Sequence, residues 1–441
     1  MFHTQGLQTK LIDSVYDRTN FRTEFRFDPN QVYLSNMRLL GLGAVCSGNV
    51  AESFSYNFLV GTYGVVKQIT LYDGNETLSN LVDFNRYSAF KSFTTKNDDN
   101  NSITKFLQVN NLGYVYTDVD TLDASGAVLT LGKIERLNNA GQLLNTDSTT
   151  TKGWLSLRDC IPFLAASQYV PTNVFKNLRL VIEYDTNSQN FAKGAILTYK
   201  TTEPFLVADM MVNSKVANQM MMEYKSLSWI DLETDRVVLP AVPLVSNTNV
   251  NPVQEVKFNV NGFNNKRVNR VVMCNQATSE LTYKPANNIN APVYTDFANM
   301  GSMGMLNQSL QVIVNGSNLF TEPINTANKR LAQVVDNYAD AVCPLGYGNV
   351  SGLIGATDAT SLVSKSVEIL NNTDYSVFTL GGQRVQELVL EYKRTGQYEN
   401  GVSNANQPVR RYNQQLNLVL YGEVQKSLVL GEKGNYIIGY A

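Results

Sequence analysis

A chain of 441 residues exceeds the size at which one hydrophobic core keeps growing, so two domains are expected. Hydrophobic residues make up 43% and aromatics 10%, enough for large cores, while charged residues at 17% fall below the usual quarter. The 36 basic and 38 acidic residues give a net charge of −2, which excludes the strongly positive field that neutralises nucleic-acid phosphates.

Residues 1–20 read as an arm whose charges cancel, Lys10 and Arg18 against Asp13 and Asp17. It is either a frayed terminus or an ordered arm gripping a neighbouring subunit. It lacks the basic-then-apolar layout of a secretion signal, and no apolar run in the chain approaches the length of a membrane span. From Phe21 the spacing of Phe21, Phe25 and Phe27 predicts a first strand, closed by Asp28-Pro29-Asn30. Further strands are predicted over 32–45, 53–60 and 65–72, and Asp73-Gly74 is a turn signal. Leu78, Leu81, Val82, Ala89, Phe90 and Phe93 then fall on one face of a predicted helix. Beyond the polar loop at 97–101, strands are predicted over 106–115 and 127–134.

The stretch 154–185, WLSLRDCIPFLAASQYVPTNVFKNLRLVIEYD, organises the first half. It reads as a short strand, one or two helical turns, a proline corner and a strong apolar strand from Leu178. Asp159 is a candidate cap, Ile161, Leu164 and Ala165 share a helical face, and Pro162 is tolerable in a first turn because its missing N–H has no intrahelical partner. A last strand is expected over 195–199.

Between 209 and 235 the pattern changes. Val212, Val216 and Met220 are spaced by four, with Asn213 or Ser214 as cap, which predicts a linking helix. Met210, Met211 and Met220 to Met222 read as core filler. The second half then replays the first. Glu24-Phe-Arg-Phe-Asp-Pro-Asn matches Glu255-Val-Lys-Phe-Asn-Val-Asn in residue type. Ile69-Thr-Leu-Tyr-Asp-Gly matches Gln311-Val-Ile-Val-Asn-Gly, and a helix follows both turns, the second capped by Thr326 with Leu331, Val334, Val335 and Tyr338 on one face. The strand at Leu178 is paired with the one at Leu416. Repeats this long are whole domains, so the expected layout is an arm (1–20), a first domain (21–208), a linker with a helix (209–235) and a second domain (236–441).

Each half offers about eight short strands broken by Gly, Pro and Asn, with brief helices, as in a β-sandwich. The fold class is therefore all-β: two tandem eight-stranded jelly rolls, a double jelly roll, with short inserted helices. An Ig-like sandwich needs fewer residues, and no propeller-like period is present.

The stretch 154–185 resembles a segment in the first jelly roll of double jelly-roll major capsid proteins of tailless icosahedral double-stranded DNA viruses. These include virophages, Polinton-like viruses (the first assignment) and the adenovirus-hexon type. The resemblance implies a homotrimer with strands upright to a shell. It also implies neighbouring capsomers, penton and minor capsid proteins as partners, and location in the virion after assembly in the infected host cell. The chain is shorter than many virophage capsid proteins, so long apical towers are not expected. The alternative is a two-domain β-sandwich lectin or adhesin. Both tryptophans, Trp154 and Trp229, lie inside apolar patterns, which favours core over a sugar platform.

No enzyme is expected, and no catalytic, cofactor-binding or metal-ligating residue is assigned. The chain has one histidine, His3, which excludes a zinc site needing two imidazoles and leaves a Ser-His-Asp triad only if the arm supplies its base. Asp118-Val-Asp-Thr-Leu-Asp puts Leu122 where a calcium ligand belongs and reads as a hairpin loop. Gly301-Ser-Met-Gly has no lysine to serve a phosphate. Cys46, Cys160, Cys274 and Cys343 form no CxxC pair and read as buried thiols. Lys266, Arg267 and Arg270 read as the solvated face of a strand, and Arg410-Arg411 likewise. Asn75-Glu-Thr and Asn315-Gly-Ser match a glycosylation pattern that so Asn-rich a chain produces by chance.

Overall fold

Alternation of apolar and polar side chains, punctuated by tight turns, fixes the strands. The computed structural model describes residues 6–17, 21–48, 55–56, 61–94, 114–116, 121–122, 128–130, 134–136, 153–187, 192–193, 196–224, 226–242, 251–277, 308–337, 375–396, 415–431 and 435–440. The first half holds β1 (Leu7–Ile12), β2 (Arg22–Arg26), β3 (Val32–Leu34), β4 (Arg38–Leu42), β5 (Val66–Asp73) and β6 (Glu76–Val82). It continues with β7 (Gly153–Ser156), β8 (Tyr169–Pro171), β9 (Leu178–Tyr184) and β10 (Phe205–Met211). One sheet runs β7-β4-β10-β3-β8, with β1 along the other side of β10; the second runs β2-β9-β5-β6. β3 with β4, and β7 with β8, each act as one interrupted strand. Counted so, the sheets have the orders 1-8-3-6 and 2-7-4-5, those of a jelly roll.

The second half repeats both orders. Its strands are β11 (Ser226–Leu239), β12 (Val253–Asn259), β13 (Lys266–Ala277), β14 (Ser309–Val314), β15 (Ser317–Asn318), β16 (Tyr375–Val385), β17 (Leu388–Thr395) and β18 (Leu416–Leu430). They form the sheets β11-β18-β13-β16 and β12-β17-β14-β15, and β19 (Tyr436–Tyr440) adds a hairpin arm to β18. The chain is a double jelly roll, as its strand pattern predicts.

Four local expectations change. The strand equivalent to Leu178 is not the one at Leu416 but β17: β9 lies between β2 and β5, and β17 lies between β12 and β14. Leu78, Leu81 and Val82 belong to β6, because the turn at Gly74 (φ +59°) folds the chain straight back on β5, pairing Asp73 with Glu76. Helix α1 (Phe84–Thr94) begins only after Asp83, whose φ of 51° breaks the strand. Residues 7–12, within the expected arm, pair along their whole length with β10, and Ser14–Asp17 pairs with β2. Asp159 lies within the short helix α2 (Leu157–Cys160); the next, α3 (Pro162–Ala166), starts from Ile161 without a side-chain cap, with Pro162 in its first turn.

The remaining helices follow their sequence signals. In α4 (Ser214–Glu223), the Asn213 side chain accepts from the N–H groups of Lys215 and Val216. In α5 (Ala327–Asn337), Lys329 N donates to Thr326 Oγ1 at 3.2 Å. Tyr338 lies outside the described residues. Helix α4 covers the lower part of the first sandwich, where Ala217 and Met220 pack on Val32 and Met211. Met222, by contrast, is exposed.

The two ends of each sandwich differ. The connections β2–β3, β5–β6 and β8–β9 are short, as are β12–β13, β14–β15 and β16–β17. Antiparallel geometry puts all of these at one end. The connections at the other end, among them β6–β7, β13–β14, β15–β16 and β17–β18, span more residues.

Close packing is sharpest at Gly422 in β18. A Cβ there would meet the ring of Phe263 at 2.4 Å, and Phe263 is fully buried. Gly422→Ala is expected to cost about 1–3 kcal/mol through overpacking. The shift of the urea midpoint at unchanged slope measures it.

Candidate assembly surfaces and the junction between the sandwiches

In the second sandwich the sheet β11-β18-β13-β16 is buried on both faces over much of β18, β13 and β16, while β11 leaves Ile230 and Val238 exposed. On β13, Val271 and Met273 face the core of the second sandwich, while Val272 and Cys274 join the core cluster of the first. Leu418 and Leu420 on β18 face inward, Val419 and Tyr421 face the junction; Phe378 and Val377 divide likewise on β16. This explains the near-continuous apolar run Leu416-Asn-Leu-Val-Leu-Tyr, since strands buried on both faces lose their alternation.

What the first sandwich offers in return is its side rather than a sheet face: the edge strand β6 with α1 and α3. Trp229 meets Phe163 edge-on at 5.3 Å, and Phe163 meets Phe175 edge-on at 5.6 Å. Phe175 continues the aromatic path to Tyr436 at 5.3 Å. On the α1 side, Tyr87 packs on Tyr421 at 5.2 Å and Phe90 on Tyr375 at 5.0 Å. Aromatic pairs in these geometries add specificity to the apolar area they bury.

Polar groups cross the same seam. Asp231, almost fully buried, accepts from Ser79 Oγ at 2.5 Å and from Lys426 Nζ at 2.7 Å. Lys426 also lies 3.0 Å from Glu233, which accepts from Lys266 at 2.5 Å and from the Tyr440 hydroxyl at 2.9 Å. Arg236 pairs with Asp83, and Tyr436 OH donates to Asp73 Oδ2 at 2.7 Å. Burial raises the Asp231 carboxyl above its ordinary range against the pull of Lys426. Burial would raise Glu233 as well, but Lys266 and Lys426 hold it below the ordinary value. Paired and hydrogen-bonded in this way, the charges bridge the two sandwiches without adding much net stability.

The residues singled out from sequence are placed as follows. Lys266 is taken up by Glu233 and by the Gly262 carbonyl at 2.7 Å; Arg270 makes a two-pronged pair with Glu423 at 2.9 and 2.8 Å. Arg267 is exposed, so only it matches the solvated-face reading. Trp229 is core. The side chain of Trp154 lies outside the described residues, as do His3, Asp118, Asp120, Asp123, Gly301 to Gly304, Cys343, Arg410 and Arg411. Thr121–Leu122 pairs with Val128–Thr130 in a two-stranded ribbon. Cys160 and Cys274 are free thiols; burial pushes Cys274 up to about 12, with Asp83 adding to the rise and Arg86 and Arg236 opposing it, and raises Cys160 as well. Among the described residues no cluster of three metal-capable side chains occurs, and no helix is long and apolar enough to cross a membrane.

The outer face of the first sandwich's sheet β7-β4-β10-β3-β8 is the counterpart of the buried face just described. Above α4 it leaves Leu11 60% and Phe205 41% exposed, beside half-buried Leu40. The opposite side of the chain ends in the short edge strand β15 with α5 nearby.

By sequence, no protein-family profile and no curated protein matches the chain. By structure it is similar to VP54 of the virus PBCV-1, solved by crystallography and fitted into a reconstruction of the virophage Sputnik. That likeness has a TM-score of 0.51 at 10% identity, covering 100% of this chain and 98% of that one. It is also similar to the mavirus major capsid protein, with a TM-score of 0.51 at 7% identity, covering 99% of this chain and 90% of that one. Both likenesses extend over both sandwiches and establish the shared fold.

Proposed function

We propose that this chain is a major capsid protein, a structural rather than catalytic subunit that forms pseudo-hexagonal trimeric capsomers in an icosahedral virus shell. The observation that carries this is the junction. It joins unlike surfaces, the outer sheet face of one sandwich and the side of the other, so each chain keeps one unused copy of each. A heterologous contact of this kind, repeated between chains, closes into a ring or runs on as a filament. Three chains bring six similar sandwiches around one centre, and the exposed Leu11 and Phe205 lie on the face such a contact would cover. The fold shared with VP54 and the mavirus protein supports the same reading, and with it a virion location and partners among neighbouring capsomers and minor capsid proteins. On this reading the boundary between the domains lies within the expected stretch 209–235, at α4 between β10 and β11. The glycan-binding alternative loses its platform at Trp229, whose ring is buried at the junction.

Light scattering on the purified protein is expected to give three times the chain mass of 49.0 kDa, and electron microscopy hexagon-outlined particles. A monodisperse, stable monomer would overturn the proposal. Interfaces of this class bury beyond roughly 2,000 Å² and are core-like, so two new charges in one should prevent it from forming. The double variant Leu11→Glu, Phe205→Glu is accordingly expected to run as a monomer with an unchanged circular-dichroism spectrum.

A further inference from the structure

At the short-connection end of the first sandwich a cavity of about 540 Å³ opens between the β2–β3, β5–β6 and β8–β9 connections. Its wall carries Arg26, Lys176 and Arg179 with a single carboxylate, Glu24. Three guanidiniums share that carboxylate: Arg26 at 2.7 Å, Arg22 at 3.4 Å and Arg179 at 3.9 Å. Arg26 and Arg179 stand directly opposite each other on β2 and β9, a like-charge pairing that opposes sheet formation unless an anion lies between. Lys176 is exposed and has no ion pair among the described residues.

The cations are held ready. Arg179 lies over the Tyr72 ring at 4.9 Å and donates to the Gly74 carbonyl at 3.2 Å, while its Nε is buried with no hydrogen-bond partner. Two nearby acids are already engaged. Asp73 accepts from Asn177 N and from Tyr436, and Asp28 pairs with Lys10. Phe27 and Pro29 give the cavity an apolar wall.

We propose that this cavity docks an acidic peptide segment of another chain, its carboxylates among Arg26, Arg179 and Lys176 and an apolar side chain against Phe27 and Pro29. Charge complementarity and the fixed fork of Arg179 suit carboxylates. A nucleic-acid backbone would need cations continuing beyond the cavity, whereas the exposed Glu76 and Glu183 lie on the flanking strands β6 and β9.

The test uses the full chain in whatever oligomeric state it adopts, so its outcome is independent of trimer formation. A fluorescein-labelled peptide of alternating glutamate and phenylalanine is titrated by polarisation. Saturable, salt-sensitive binding is expected, about tenfold weaker for Arg26→Glu or Lys176→Glu and unchanged for Lys215→Glu on α4. Arg26 and Lys176 are exposed, so these variants should fold, and circular dichroism checks that they do. Equal binding of the glutamine counterpart, or variants that bind like the parent, would overturn the proposal. So would displacement of the peptide by oligothymidylate, which would point to a phosphate site instead.

Discussion

Trp229→Ala is expected to destabilise the protein by about 3–5 kcal/mol and to do so in both sandwiches at once. Trp229 belongs by sequence to the second half, on β11, yet its side chain is 4% exposed within the core cluster of the first. Removing the indole leaves a cavity lined by Phe163, whose other neighbour is Phe175, so the vacancy opens the aromatic path that ties α3 to β19. A core this rigid relaxes only partly around a deletion, which is why the cavity adds to the lost transfer energy. Calorimetry should show one transition moving as a whole. Two resolved transitions, one of them unmoved, would show that the sandwiches have separate cores after all.

Alkali is expected to unfold the protein steeply from about pH 10 upward. Burial raises Tyr63, Tyr87 and Tyr421 far above the ordinary tyrosine value of 10.0; Tyr63 is raised further by Cys160 and Asp159, Tyr87 by Glu423, and Tyr421 by Cys274 and Asp83. Burial pushes Tyr33 and Tyr224 up to about 12. The unfolded chain ionises these phenols near 10.0, while the folded chain keeps them neutral. Their stabilising contribution is therefore complete below pH 10 and is lost as pH rises towards their folded values. Lys426 adds to the same trend. Burial alone would lower it, but Asp231 and Glu233 outweigh burial and hold it above 10.5, so its contribution too is present below that value and lost above it. Each phenol kept neutral in the folded chain contributes about 1.4 kcal/mol per pH unit, so Tyr63, Tyr87 and Tyr421 together should cost about 4 kcal/mol per unit. Urea midpoints taken between pH 9 and pH 11 measure the slope, and Tyr87→Phe should reduce it by about a third. A flat profile would mean that the phenols titrate within the folded state.

Fold class was legible because strand-and-turn punctuation is local. The turns at Gly74 and at Asn315-Gly316, the latter with φ values of 51° and 81°, mark the same hairpin in both sandwiches. The duplication was readable too, but its third landmark was misplaced. Leu416-Asn-Leu-Val-Leu-Tyr looks like Leu178-Arg-Leu-Val-Ile-Glu-Tyr because both are densely apolar. The true counterpart, β17, carries Leu388-Val-Leu-Glu-Tyr, nearly the Leu180-Val-Ile-Glu-Tyr of β9, with Glu183 and Glu391 both exposed and Tyr184 and Tyr392 both buried. The retained glutamate was the signal separating a strand with one wet face from a strand with none. The junction was not legible. Trp229 reads as an ordinary core residue, and only folding shows that the core it fills, with Tyr375 and Tyr421, is the other sandwich's. The cationic cavity was hidden for a similar reason: Arg26 and Arg179 are far apart in sequence and meet only through the pairing of β2 with β9. The basic run that sequence did highlight, Lys266 to Arg270, is largely spent on Glu233 and Glu423.

The segregation of long and short connections to opposite ends has an evolutionary consequence. Residues inserted between β13 and β14, or between β17 and β18, would lengthen one pole of the protein without touching α1, α3 or the sheet face that meet at the junction. Lineages of such a protein can remodel that pole while the fit between the sandwiches stays under separate selection.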